Sequence, residues 1–347
     1  MRFPTSVLIV KTSSLGDIVQ SFDVLDDLRC RFPSVSIDWA VEASFAPIVA
    51  AHPLVRRVIP LDLKRRRHLW TAFKELRKEQ YDLVFDLQGN CKSGAITLLA
   101  RAKVKVGYSF QSVREWPNIL ATHVRFTISK QKNIRFYYLE LIQRYFQTTG
   151  PQVSLNQTGV RFKIETEEKK KISQILSQAP AGLKIMVCPG SKWINKQMKN
   201  ETLAGFLQRI EQGYGASFFL IWGGEAEQIL CNEMAKQLHS AFVVEKLALP
   251  TWQNLMNEMD CVIAVDSSAL HLCGTTATPS FSVFGPSASH IFKPIGRHHF
   301  TFQGVCPYGQ VFEKTCPILR TCSTGACIRE ITVEELFRAF QNQYHFE

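Results

Sequence analysis

The chain has 347 residues, of which 46% are hydrophobic and 20% charged, with a formal net charge of +11. That is enough material for two domains with proper cores and the balance of an ordinary globular protein. No uninterrupted run of about 18 apolar residues occurs, which excludes a transmembrane helix. Met1-Arg2-Phe3-Pro4 runs straight into the first expected strand, so no signal peptide and a cytoplasmic location are expected. The positive charge suits nucleic acid, an anionic membrane or a phosphorylated substrate. Zinc-finger spacing, an aromatic-rich ribonucleoprotein motif and a long basic helix are all lacking, so a nucleic-acid partner is not expected.

The apolar run Val7-Leu8-Ile9-Val10 reads as the first strand. A turn, Lys11-Thr12-Ser13-Ser14-Leu15-Gly16-Asp17, follows, and a helical pattern runs from Ile18 until Arg31-Phe32-Pro33 ends it. Further strands are expected over 37–41, 57–60 and 81–86, with a short helix over 44–51 and a charged helix over 69–79. Residues 147–156 turn polar and lose periodicity, which marks a linker. Alternation then restarts, with strands over 185–187, 218–221, 241–244, 261–265 and 278–284. Helices over 167–178, 200–212, 226–239 and 252–258 separate them. A last helix over 332–343 is expected to pack back across the junction. Strands separated by about ten helical residues give parallel sheets with right-handed crossovers. The expected architecture is α/β, two doubly wound Rossmann-like domains facing a central cleft. The first covers 1–155, the second 156–330, and 331–347 forms the closing helix.

Ten cysteines are present. Cys30, Cys91, Cys188, Cys231, Cys261 and Cys273 read as small core residues. Cys306, Cys316, Cys322 and Cys327 cluster late without a CxxC pair, so reduced thiols packing an irregular loop are expected rather than a metal site.

Ligands of doubly wound sheets bind beyond the carboxyl ends of the strands, and four loops there carry unusual residues. In the first, Ser13, Ser14 and Gly16 let an anion approach the amides of a helix start. Asp17 stands in the first turn, as a cap or as a base for a substrate hydroxyl. The second loop is residues 86–93, with Gln88 and Lys92. In the third, Gly190 and Ser191 offer a tight turn with exposed donors, and Lys196 a mobile cation. In the fourth, Asp266 orders a helix start where Ser267 and Ser268 can hold phosphate oxygens, with His271 on the same face. A Walker A sequence, GxGxxG, HExxH and a GxSxG elbow are all missing. Transfer from a nucleotide-activated donor is the chemistry that remains.

At these residues the chain resembles glycosyltransferase family 9, the heptosyltransferases of lipopolysaccharide core assembly. Lys-Thr-Ser-Ser-x-Gly-Asp at 11–17, Asp-x-Gln-Gly-x-x-Lys-Ser at 86–93, and Asp-Ser-x-x-x-His at 266–271 with Phe284-Gly285-Pro286 carry the resemblance. It implies a GT-B fold, an inverting mechanism without metal or cofactor, and an ADP-heptose donor. Asp17 resembles the general base and Lys196 the lysine that steadies the departing diphosphate. Ser267, Ser268 and His271 match the phosphate loop, and Glu227 is matched to the ribose, with Glu225 as the alternative. The run Lys64-Arg65-Arg66-Arg67, with Gln88, Lys92 and Arg114, falls where the family binds its acidic acceptor, the lipid A–Kdo region of the inner core. Such an acceptor implies attachment to the inner face of the inner membrane. Another nucleotide sugar, a later core acceptor or a protein acceptor stays compatible with the same residues. A different class, a non-catalytic basic protein on nucleic acid or membrane, accounts for the charge but not for the four loops.

Overall fold

A computed structural model describes residues 3–62, 66–148, 159–180 and 182–344. Lys64 and Arg65 lie outside the described residues, as does the expected linker from residue 149 onward. The chain divides into two compact units, Met1–Leu155 and Asn156–Glu347.

The first unit is a six-stranded parallel sheet made of β1 (Ser6–Val10), β2 (Ser36–Glu42), β3 (Val55–Leu61), β4 (Gln80–Asp86), β5 (Arg101–Tyr108) and β6 (Val124–Phe126). Their spatial order is β3-β2-β1-β4-β5-β6. Val7, Leu8, Ile9 and Val10 are wholly buried, as a strand covered on both faces demands. Val10 pairs with Ala40 on one side and Asp86 on the other. The expected helix from residue 18 to 31 is two helices, Leu15–Gln20 and Asp23–Arg31. The break falls at Ser21, whose Oγ donates to the carbonyl of Ile18 at 2.7 Å and competes with the helical ladder.

The second unit repeats the plan with β7 (Lys184–Cys188), β8 (Ser217–Leu220), β9 (Ala241–Val243), β10 (Cys261–Val265), β11 (Ser280–Phe284) and β12 (His299–Gln303). All are parallel, in the order β12-β11-β10-β7-β8-β9. The closing helix is Val333–Gln341. Leu336, Phe337 and Phe340 are buried in the second unit's own core. The Phe340 ring lies 5.7 Å from Phe206 and 5.4 Å from Phe281. The helix is amphipathic, and this apolar stripe finds its partner on the helix Asn200–Tyr214.

Each sheet reverses its strand order once, between β1 and β4 in the first unit and between β7 and β10 in the second. A doubly wound sheet opens its binding crevice at such a switch point. The four loops singled out from sequence follow these four strands, two at each switch point.

Candidate active site

In the first unit the Asp17 carboxylate is held from two directions. Its Oδ2 accepts the Ser14 hydroxyl at 2.8 Å and the Ser14 amide at 3.2 Å, which closes a capping box on the helix Leu15–Gln20. Its Oδ1 accepts the hydroxyl of Tyr138 at 3.2 Å. Tyr138 comes from the helix Ile134–Phe146, which the sequence reading left unassigned. Burial and the neighbouring carboxylate hold the phenol well above its ordinary range, so it remains a donor.

The amides that lead into the helix are already engaged: the Ser13 N–H donates to Gln88 Oε1 at 3.2 Å, and that of Ser14 is taken by Asp17. Gln88 also accepts the Thr12 N–H at 3.2 Å, so this buried side chain ties the two loops at the switch point together. Asp86 orders the second loop from below. It accepts the amides of Gln88 and Gly89 at 2.9 Å each and Asn118 Nδ2 at 2.6 Å. Complete burial raises its carboxyl above the usual range, against the pull of those donors. Gly89 has φ of +69°, the left-handed conformation this turn requires.

A cavity of about 440 Å³ opens beside these loops, lined by Thr12, Ser13, Ser44 and Asn90, with the carboxylates of Glu42, Asp62 and Glu115 and the cation of Lys92. Arg114 is exposed on the adjoining loop, its amide donating to the Gly89 carbonyl at 3.0 Å. The side chains of Arg66 and Arg67 lie outside the described residues.

In the second unit Lys196 is not the mobile cation expected. Its ammonium stands 2.5 Å from Asp266 Oδ2, and both side chains are largely buried. His271 Nε2 lies 3.8 Å from the other oxygen of the same carboxylate. The main-chain oxygen of Asp266 accepts Ser191 Oγ at 3.3 Å. Ser267 is the N-cap of the helix Ser268–Cys273, and its buried Oγ has no hydrogen-bond partner among the described residues. A cation fixed by a carboxylate, a histidine, a buried hydroxyl without a partner among the described residues and a helix start are groups of the kind that bind anions. Glu227 lies against the third loop. Glu227 Oε2 accepts the Gly223 N–H at 2.7 Å, and a Cβ on Gly190 would come within 2.0 Å of Glu227 Oε1. Only glycine lets the carboxylate lie there.

Asn195 precedes Lys196 in the short turn Ile194–Lys196. Its Nδ2 donates to the carbonyls of Leu319 and Cys322 at 2.9 Å each. Those carbonyls belong to the late cysteine segment, whose four thiols line one cavity of about 60 Å³. Among the described residues no three His, Cys, Asp or Glu side chains are arranged to hold a metal ion, and no disulfide joins the ten cysteines. Cys30 and Cys91 are exposed rather than core, because they fall on the solvent side of the helix Asp23–Arg31 and at the first position of the helix Cys91–Leu99. The other four expected core cysteines are buried.

Two Rossmann-like units, each with its loops gathered at a switch point, are the GT-B architecture of enzymes that transfer sugars from nucleotide donors. Residues 69–320 match the profile of glycosyltransferase family 9 (heptosyltransferase), and the chain belongs to that family. It is 29% identical over 330 residues to the lipopolysaccharide heptosyltransferase 1 of Pseudomonas aeruginosa, covering 89% of this chain and 87% of that one. With the lipopolysaccharide heptosyltransferase 1 of Escherichia coli K12 it shares 28% over 302 residues, 84% of this chain and 91% of the other. Among solved structures, the Escherichia coli heptosyltransferase WaaC with ADP-2-deoxy-2-fluoro heptose superposes with a TM-score of 0.75 at 23% identity, over 98% of this chain and all of that one. A family 9 glycosyltransferase from Veillonella parvula gives 0.81 at 17% identity, over 98% and 97%. The chain is a glycosyltransferase of GT-B fold.

Proposed function

We propose that this enzyme transfers a heptose, with inversion, from ADP-heptose to the Kdo region of lipid A–Kdo. The observation that carries the reading is the coincidence of two findings. The chain aligns over most of its length with proteins named heptosyltransferase 1, and its second unit holds a buried lysine–aspartate–histidine cluster beside a buried serine hydroxyl that has no partner among the described residues.

In this mechanism Asp17 takes the proton of the acceptor hydroxyl as that oxygen bonds to the anomeric carbon. The bond from that carbon to the diphosphate oxygen breaks, and its electron pair leaves with ADP. Lys196 neutralises the developing charge, held in place by Asp266, while Ser267, Ser268 and His271 donate to phosphate oxygens. Glu227 accepts from the ribose hydroxyls. Lys92 and Arg114 bind the anionic acceptor, and the carboxylates of the 440 Å³ cavity accept from its sugar hydroxyls; the basic run 64–67 is assigned the same role from sequence alone. An acceptor in the membrane surface and a net charge of +11 favour peripheral attachment to the inner leaflet. Among the described residues no helix is long and apolar enough to cross a membrane.

A thermal shift against ADP, UDP, GDP and ADP-heptose, with and without EDTA, tests the donor. A ligand that binds only the native state raises the melting point by mass action. Stabilisation by ADP and ADP-heptose alone, unaffected by EDTA, is the expected result. Preference for UDP or GDP overturns the assigned sugar, and no response to any nucleotide overturns the donor site.

A further inference from the structure

Tyr138 lies 121 residues from Asp17 in sequence, yet its hydroxyl reaches Oδ1 of that carboxylate. The side chain is 3% exposed. Its ring is fixed on several sides. The Lys11 ammonium lies 4.9 Å from the ring centroid, and the Tyr137 ring meets it edge-on at 5.8 Å. Tyr137 is itself stacked on Tyr108 at 5.0 Å and donates to the Ser112 carbonyl at 3.1 Å. A hydroxyl on so confined a ring has one direction to point, and it points at Asp17.

The other carboxylate oxygen is claimed by Ser14. Ser14 is exposed and belongs to the same short turn as Asp17, so it fixes the side chain only relative to its own helix. Tyr138 is carried by a different, longer helix packed on the sheet, so its contact registers the carboxylate against the body of the unit.

We propose that Tyr138 is the positioning residue for Asp17: its hydroxyl fixes the plane of the carboxylate and favours its ionised form until the acceptor proton arrives. The proposal rests on Asp17 being the base. Tyr138 keeps its own proton throughout, and the acceptor proton goes to Asp17. Among the described residues, the charged and titratable groups facing this pair include Lys11 just after β1, Tyr137 on the same helix as Tyr138, and Arg114 on the loop after β5, which acts on Tyr138 through its charge.

The test uses the full chain with ADP-heptose and lipid A–Kdo, reading kcat, the donor KM, the pH profile and the melting point. Tyr138→Phe keeps the ring and removes the donor. The expected result is a fall in kcat of about tenfold, the usual weight of a hydrogen bond to a charged group. The acid limb of the profile moves up by about one pH unit, because a donor to the ionised form is lost, while the donor KM holds. 3-Fluorotyrosine at position 138, a stronger donor of nearly the same shape, moves the limb the other way. Tyr137→Phe, which loses a neighbouring hydroxyl that does not touch Asp17, leaves the limb in place. An unmoved limb in both Tyr138 variants, or an equal shift in Tyr137→Phe, overturns the proposal. Should Tyr138→Phe not fold, the fluorotyrosine protein decides alone. Wild-type turnover in Asp17→Asn is a separate result: it overturns the assignment of Asp17 as base.

Discussion

Gly190→Ala tests the proposed contact of Glu227 with the donor ribose separately from any contribution to stability. The added methyl would meet Glu227 Oε1 at 2.0 Å and Cδ at 2.1 Å, so the carboxylate must retreat by more than about 1 Å to reach ordinary contact. That retreat breaks the 2.7 Å bond from the Gly223 amide and takes the charge out of register with a ribose. The colliding atoms are the end of a flexible, half-exposed side chain with solvent to move into, so the melting point changes little. Losing hydrogen bonds to a charged acceptor costs about 1.5–3 kcal/mol, which lowers ADP affinity by about tenfold to a hundredfold. Isothermal titration with ADP reads this directly, with Glu227→Ala as the comparator. The two changes remove the same interaction, so the double variant loses no more than either single one. Wild-type ADP affinity in Gly190→Ala refutes the reasoning. Additive losses refute the claim that the methyl acts through Glu227.

Other outcomes follow from the same geometry. Asp17→Asn lowers kcat by about a hundredfold or more while ADP still binds and the melting point holds, which steady-state kinetics and a thermal shift check together. Lys196→Met removes the cation from the leaving diphosphate and leaves Asp266 buried without its 2.5 Å partner. It lowers kcat by about a hundredfold to a thousandfold, and Asp266→Asn restores stability but not turnover. Asn195→Ala frees the segment that runs through Cys322 and lowers kcat with a smaller change in ADP affinity, read by the same two assays. Asp26 titrates at about 7 because burial and the neighbouring Asp23 charge oppose its ionisation. Its folded pKa lies above the unfolded one, so the folded state holds a proton that the unfolded state has lost. Stability therefore falls as pH rises from about 4 to 7, and Asp26→Asn flattens that slope and raises the melting point at pH 8, measured by pH-dependent thermal unfolding.

The strands bearing the site were legible because Gly, Ser and Asp clusters directly after apolar runs mark the carboxyl ends of buried parallel strands. β5 was not. It begins Arg101-Ala102-Lys103-Val104-Lys105, and its lysines disguise a strand whose charges are satisfied locally. Lys103 pairs with Asp82 at 2.7 Å, and Lys105 donates to the Leu98 carbonyl at 2.8 Å. Asn195 was invisible for another reason, since its value lies in carbonyls 124 and 127 residues away. Sequence also ranks residues by type, and here type does not separate roles. Asp86 and Asp266 stand at or just after the end of a strand at a switch point, and Asp17 stands in the first turn of the helix that follows such a strand. Asp86 is sealed beneath its loop with its lone pairs spent on amides, so it is scaffold. Asp266 spends its charge on Lys196, so it acts through that cation. Asp17 is half-exposed, held by a serine on one oxygen and a buried phenol on the other. A base must be fixed in direction and still reachable by a substrate hydroxyl, and of the three carboxylates only Asp17 meets both requirements.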